Sequence, residues 1–466
     1  MEAATSIVDI RLDAKSVLEP DVKSTLQPAV EEAELPPPPP PPPARPPKNS
    51  PLEWLYLSTR HLADTVTLDE ISPSPFPITT TGGFETLCSY NWVDTHDPTI
   101  IVPGGAAKYT HLAFPVKLRP DAGVTFSDLN RAKAPRQPFK GVFTALTLMS
   151  PRRKLDDVDV ILTRGAFQSL YKFAKGGCST AFILQMNLIN KTLVLTYREG
   201  KNRRFNGGKI QSWGHAFEEG FTAYDDELKG SIAHHRVVKY QFGSLRVAVL
   251  HEVDVSYSAP SESPGPAATS GGGQAFFEKR SGATDLGHLV RSNQDLEVRP
   301  FGTGTAAENV AEMKAIRKPL SETGIPSDAR TQCWFGRTGT LMFGLHTEGV
   351  FQSVDVREFD FEPWCQSNQE PLQRTAAVFE KLREQTRRLG NCGVAVLNPA
   401  SCKTRLEIWT PHRPVVFNPV PHDTVRRHWT FRNDAPRSRH VQPADRGRRR
   451  GFGERAGMYS YGERLR

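Results

Sequence analysis

Long apolar runs are missing from this chain of 466 residues, and no stretch approaches the roughly 18 apolar residues that a membrane-spanning helix needs. No transmembrane helix is therefore expected, and no membrane partner. The opening residues, MEAATSIVDIRLDAK, carry acids and lack a basic start followed by an apolar core, so no secretory signal is read. Cysteine is sparse. Cys88, Cys178, Cys333, Cys365, Cys392 and Cys402 form no C-x-x-C pair, which argues against a structural zinc and against a disulfide scaffold. A reducing compartment, the nucleus and/or the cytoplasm, is the expected location. Excess charge is also lacking over most of the length. From Pro421 to Arg466 there are 12 arginines, no lysine and 5 acids, which leaves that segment with +7 of the formal +8. Attraction to polyanions is thus expected mainly in the tail.

Proline and glycine are plentiful, with 38 and 36 residues, but they cluster and so mark the domain plan. Residues 1–50 read as a disordered Pro-rich segment. Its eight prolines, Pro36–Pro43, are confined to polyproline II. Such a run reads first as a stiff spacer and otherwise as a ligand for an SH3, WW or profilin-type groove. Residues 51–420 read as one catalytic domain. It is interrupted at 258–300 by a low-complexity insertion containing SAPSESPGPAATSGGGQ, too polar to offset its ordering entropy. Residues 421–466 read as a disordered, basic Arg/Gly-rich tail.

Within the domain the expected class is α+β: mixed central β-sheets flanked by helices. LEWLYL, ETLCSYNWV, TIIVPGGAA and AFPVKL read as short strands and loops. For GVFTALTLMS periodicity does not choose between strand and helix. VDVIL reads as a strand, TRG as a break and AFQSLYKFA as an amphipathic helix. Two strands are expected around a turn at Asn190–Lys191. WGHAFEEGFTAYDDE reads as a helix with Trp213, Phe217 and Phe221 on one face. A hairpin turning at Gly243–Ser244 is expected to run on through Asp254, and ENVAEMKAI reads as a strand. EPLQRTAAVFEKLREQTRRL reads as a long helix with Ala377, Leu382 and Leu389 facing inward, and LEIWT as a last strand.

The chemistry concentrates in four short signatures: Arg164 in VDVILTRG, Glu218 in WGHAFE, Glu252 with Asp254 in LHEVDV, and Glu312 with Lys314 in AEMKAI. On a strand, residues i and i+2 share a face, so Glu252 would project with Asp254, and Glu312 with Lys314. Were the two strands neighbours, three carboxylates and an ammonium would share one patch. Like charges that close are costly to ionise, and a divalent cation relieves the cost. Hard oxygen ligands select Mg2+ or Mn2+ over zinc. Such ions hold phosphate, activate water and stabilise a leaving oxygen. An acidic pair plus E-x-K on adjacent strands is the D-(D/E)-x-K-nuclease-like pattern. Taken singly, each signature is most simply a solvated surface charge.

In order, the four signatures resemble the DXO family of decapping exoribonucleases, as a divergent fungal member. That family's pattern is Arg-Gly after a D-I-V-type strand, a G-x-x-F-E helix, an E-x-D strand and an E-x-K strand. The likeness spans Asp159 to Phe359. It implies that Glu218, Asp254 and Glu312 bind metal directly, with Glu252 acting through a bound water. It also implies that Lys314 acts at the attacking water and Arg164 at the substrate's 5′ phosphate. Glu252, Lys314 and Glu218 would then be the catalytic set. The implied activity is metal-dependent hydrolysis at RNA 5′ ends. It covers removal of incomplete or NAD caps, 5′ pyrophosphohydrolysis and, in some members, 5′→3′ degradation, with a 5′→3′ exoribonuclease as a protein partner. Three departures are visible. The Asp254–Glu312 spacer is longer than the family's. Gly336 and Arg337 stand near Trp334 where the family has a Gln. His215 stands at an ordinarily apolar or aromatic position. His234 and His235 have no third ligand at usable spacing and are expected to be structural or at the surface. The alternatives are a catalytically weak RNA-binding or nuclease-partner module of the same fold, an all-α prenyl-diphosphate synthase read from Asp156-Asp157-Val158-Asp159, and a scaffold acting through its two tails.

Overall fold

The alternation of the central strands fixes the architecture. In VILT, Val160 and Leu162 enter one apolar core and Ile161 the opposite one. Leu193 and Leu195 are likewise separated from Val194, and Val247 and Val249 from Ala248 and Leu250. A strand that is apolar on both faces must be covered on both. This structure, a computed structural model, describes residues 51–200, 202–206, 211–258, 296–412 and 420–431. Pro36–Pro43, residues 259–295 of the expected insertion and residues 432–466 of the expected tail lie outside the described residues.

The strands form an eleven-stranded mixed sheet, a seven-stranded mixed sheet and a two-stranded ribbon. At the centre of the large sheet, Val160–Thr163 lies between Thr192–Glu199 and Leu245–Val253, parallel to both. Leu245–Val253 pairs antiparallel with Ser231–Phe242 around a turn that begins at Gly243. One face of this sheet is covered by the helices Arg164–Ala174, Ser327–Gly336 and Gln369–Arg388. The last of these buries Leu372, Ala376, Val378, Phe379 and Leu382, while Ala377 and Leu389 are only partly buried. The other face is covered by the helix Lys140–Met149, which settles GVFTALTLMS as helical.

The chain crosses from one sheet to the other at Asp254. The strand Leu245–Val253 ends one residue before it, and Val255–Ser256 begins one residue after it. Val255–Ser256 pairs with the start of Val310–Ile316, which runs parallel to Thr340–Thr347 in the smaller sheet. The expected single strand through Asp254 is therefore corrected to two strands in two sheets. On the outer face of the smaller sheet, Ala311, Met313 and Met342 pack against the short helix Gly214–Gly220. Trp213, Phe217 and Phe221 do face together into that core. Gly349, at φ +80°, turns the hairpin beneath it, and a Cβ there would fall 2.3 Å from Trp213 Nε1.

Three further expectations are corrected. LEWLYL holds a 3-10 turn at Glu53–Leu55 rather than a strand, because its side chains pack around Trp409 beside the sheet edge. The insertion ends earlier than residue 300, since Leu296 is buried and Glu297–Arg299 pairs with Thr99–Ile101. The packed chain also continues past residue 420. His422–His428 is helical, and Trp429 is buried against Phe143 while its Nε1 donates to Thr192 Oγ1 at 2.9 Å. Mixed sheets with flanking helices bear out the α+β class and exclude an all-α fold.

Candidate functional site

The residues singled out by sequence meet where the two sheets adjoin. Arg164 is the first residue of the helix Arg164–Ala174, which Thr163 caps by accepting from Ala166 N. This brings its guanidinium to the strand Val310–Ile316. Nη1 donates to Glu312 Oε2 at 2.7 Å. On the same carboxylate, Oε1 accepts from Lys314 Nζ at 2.6 Å. Glu312 and Lys314 share a face, as the strand period requires, while Ala311 and Met313 point into the apolar core behind. Asp254 joins them from the crossover: its Oδ2 accepts from Met313 N at 2.8 Å and lies 3.8 Å from Lys314 Nζ.

Glu218 and Glu252 complete the group on the open side. Glu218 sits near the end of its helix, 3.6 Å from His215 Nδ1. Glu252 follows His251 near the end of the strand Leu245–Val253. Both carboxylates line a cleft of about 1020 Å³ whose walls also carry Arg164, Lys314 and His215. Glu252 is accessible to solvent yet lies deep within surrounding protein.

The electrostatics follow from this crowding. Burial raises the Glu252 carboxyl to about 7, and the neighbouring Glu218 charge adds to the rise. Asp254 is raised well above the carboxylate range by burial and then by Glu312. Burial also opposes ionisation of Glu312, but Arg164 and Lys314 outweigh it and hold that group down to about 2. The His215 imidazole is lifted to about 9, chiefly by its contact with Glu218.

A supporting layer adjoins the cleft, with His235 and His251 in its lining, and its Arg236 and His251 were not singled out from sequence. Arg236 is buried; its Nε donates to His251 Nε2 at 3.0 Å and its Nη2 to the carbonyls of Gly336 and Arg337. His235 stacks on Tyr90, and His234 Nδ1 lies 2.6 Å from Asn91 Oδ1. Both imidazoles are buried, which leaves the structural one of the two expected roles and not a place at the surface. The cationic rim of the cleft, with Arg131, Lys172, Arg198 and Arg317, was also missed. Nothing in the local sequence distinguishes these from ordinary surface cations.

The donor chemistry suits a hard divalent ion. Glu218, Glu252, Asp254 and Glu312 offer only carboxylate oxygens, and Glu252 and Asp254, raised by burial and then by their acidic neighbours, are groups whose charged form a cation would favour. The side chains as they stand do not close a cage. Among the described residues no three His, Cys, Asp or Glu groups are spaced to hold a metal, and two cations occupy the Glu312 carboxylate.

A family model described as a domain of unknown function, DUF8563, matches residues 60–429. The chain belongs to that family. No curated protein matches it in sequence. Solved structures similar to this member include S. pombe Rai1 in complex with 3'-FADP, at 13% identity over 74% of this chain and 98% of that one, with a TM-score of 0.41. Scheffersomyces stipitis Rai1 in complex with (3'-NADP)+ and calcium ion is similar at 12% identity over 74% and 93%, with a TM-score of 0.46. Candida albicans Rai1 in complex with pU5-Mn2+ is similar at 11% identity over 76% and 94%, with a TM-score of 0.46.

Proposed function

We propose that this chain is a divalent-metal-dependent hydrolase of RNA 5′ ends. One observation carries the reading: Arg164, Asp254, Glu312 and Lys314, from distant parts of the chain, form one linked group beside a cleft whose lining includes Arg164, Lys314, Glu218 and Glu252. Held there, Mg2+ or Mn2+ would supply charge neutralisation and a more acidic water. The ligands would be Glu218, Asp254 and Glu312, with Glu252 acting through water.

The remaining roles belong to this chain's own side chains. Lys314 orients the attacking water and offsets developing negative charge. Arg164 and the first turn of its helix face the terminal phosphate, where backbone N–H groups and a guanidinium both favour an anion. Arg131, Lys172, Arg198 and Arg317 follow the phosphates of the leading nucleotides. Substrates of this kind include 5′-triphosphate ends and incomplete or NAD caps, with 5′→3′ digestion as a further activity.

An end-labelled RNA panel tests the reading: triphosphate, unmethylated cap, NAD cap and monophosphate ends, each with Mn2+. Wild-type protein is expected to cleave at least one of these ends, and Glu252→Ala to lose 100-fold or more. Equal cleavage by the two proteins removes the hydrolase reading. A second reading, a catalytically weak RNA-binding module of the same fold, draws on the occupancy of Glu312 by Arg164 and Lys314. Tight, Mn2+-independent RNA binding with no product from any end selects it.

A further inference from the structure

A second recess, sharing no lining residue with the cleft, lies where the helix Ser327–Gly336 ends and Phe361–Ser367 begins. Its volume is about 550 Å³, within the range of small-ligand sites. Arg337 forms part of its lining. This residue is only 6% exposed and adopts φ +52°, a conformation that non-glycine residues rarely take. Its guanidinium lies 4.1 Å from the Tyr240 ring and 4.3 Å from that of Trp334. Its Nε is buried without a hydrogen-bond partner, and no acid among the described residues pairs with it. A sealed guanidinium with an unfilled donor is costly, and an acceptor brought by a ligand would remove that cost.

The walls narrow the choice of ligand. Phe84 is 36% exposed, and Phe361 is part-buried on the same recess. Beside Phe84, Gly83 has nothing within 4 Å of where a Cβ would sit, so a flat group can enter. Three carboxylates stand on the rim. Glu362 is engaged by Thr80 and Gln366, and Asp360 caps the helix at Glu362 N. Glu358 is exposed and is the carboxylate left to accept from a ligand. A polyanion would be repelled by this rim, and a plain hydrocarbon would leave Arg337 unfilled.

We propose that this recess binds a guanine base, with Arg337 taking its O6 and N7 acceptors, Glu358 its N1–H and amino donors, and Phe84 with Phe361 its flat faces. Guanidinium forks match the O6/N7 edge of guanine, whereas adenine sets an amino donor against the same fork. Stacking on the two rings adds to the attraction whichever base is present. The site is independent of the hydrolase reading.

Calorimetric titration of the full-length protein with guanosine and with adenosine tests it. Guanosine is expected to bind saturably and at least 10-fold tighter than adenosine. Phe84→Ala and Glu358→Gln, both at the surface, are each expected to weaken guanosine binding 5-fold or more at an unchanged melting temperature. Glu252→Gln, in the other cleft, is expected to leave it intact. The proposal is overturned by no saturable binding at millimolar guanosine, by equal binding of adenosine, or by Phe84→Ala and Glu358→Gln without effect. Loss of binding in Glu252→Gln, or binding of benzoate in place of guanosine, overturns it equally.

Discussion

Glu312 shows how one side chain can hold a site together. Its carboxylate is almost fully buried, takes Arg164 on one oxygen and Lys314 on the other, and stays ionised because these two cations outweigh its burial. Removing it leaves two cations without a counter-charge, and breaking a buried pair from one side costs about 3–5 kcal/mol. Glu312→Gln is therefore expected to lower unfolding free energy by an amount of that order in urea titrations. The double variant Arg164→Met with Glu312→Leu is expected to lose less than the two single changes summed, because neither member of that pair is left without the other and only Lys314 loses a partner. The buried histidines set a second expectation. Burial lowers His234 and His235 to about 3, against 6.5 for exposed imidazole. Below pH 6.5 the unfolded chain takes up protons that the folded chain refuses, so stability is full above that pH and is lost as pH falls towards 3. Each histidine contributes up to about 1.4 kcal/mol per pH unit in that window. Urea midpoints measured from pH 7 to pH 5 should fall, and His234→Gln should flatten the fall. Of these residue-scale features, only part was legible in the sequence. Glu312 and Lys314 could be placed on one face by the strand period, but the Arg164–Glu312 pair spans 148 residues, and no local pattern announces it.

Elements were legible where the apolar period was unmixed. The alternation in VDVIL, the turn at Asn190 and the 3.6 period of the long C-terminal helix all match the observed boundaries within a residue or two. Two elements were hidden for identifiable reasons. The period-2 pattern of LHEVDVS continues without interruption across Asp254, so nothing in it marks the change of sheet. The helix His422–His428 opens a segment whose arginine content reads as solvated tail, although Val420, His428 and Trp429 are buried. His428 also lies 2.9 Å from Thr147 Oγ1, and its carbonyl accepts from Leu155 N. This places a prediction at the scale of the element. Trp429→Ala should cost about 3–5 kcal/mol, as expected of a buried aromatic, and truncation after residue 420 should lower the melting temperature sharply. Truncation after residue 431 should leave the melting temperature within a few degrees of the full chain, since the packed helix is retained.

At the scale of the whole molecule, the two sheets are joined through the short crossover at Asp254, and the carboxylates gather where they meet. Composition placed most of the chain's net positive charge after residue 420, and 10 of the 12 arginines there lie in residues 432–466. Removing 432–466 should weaken RNA affinity and flatten its salt dependence, while turnover at saturating substrate stays within about twofold. Filter-binding isotherms at several salt concentrations, with single-substrate kinetics alongside, would show both. The central claim is that Glu218, Glu252, Asp254 and Glu312 share one divalent ion, and its most direct test is Mn2+ titration followed by electron paramagnetic resonance. Wild-type protein should take up Mn2+ at a site that Glu218→Gln and Asp254→Asn each weaken at least 10-fold, with folds intact by circular dichroism. Mn2+ uptake that is unchanged in both variants, or absent from the wild-type protein, would contradict it.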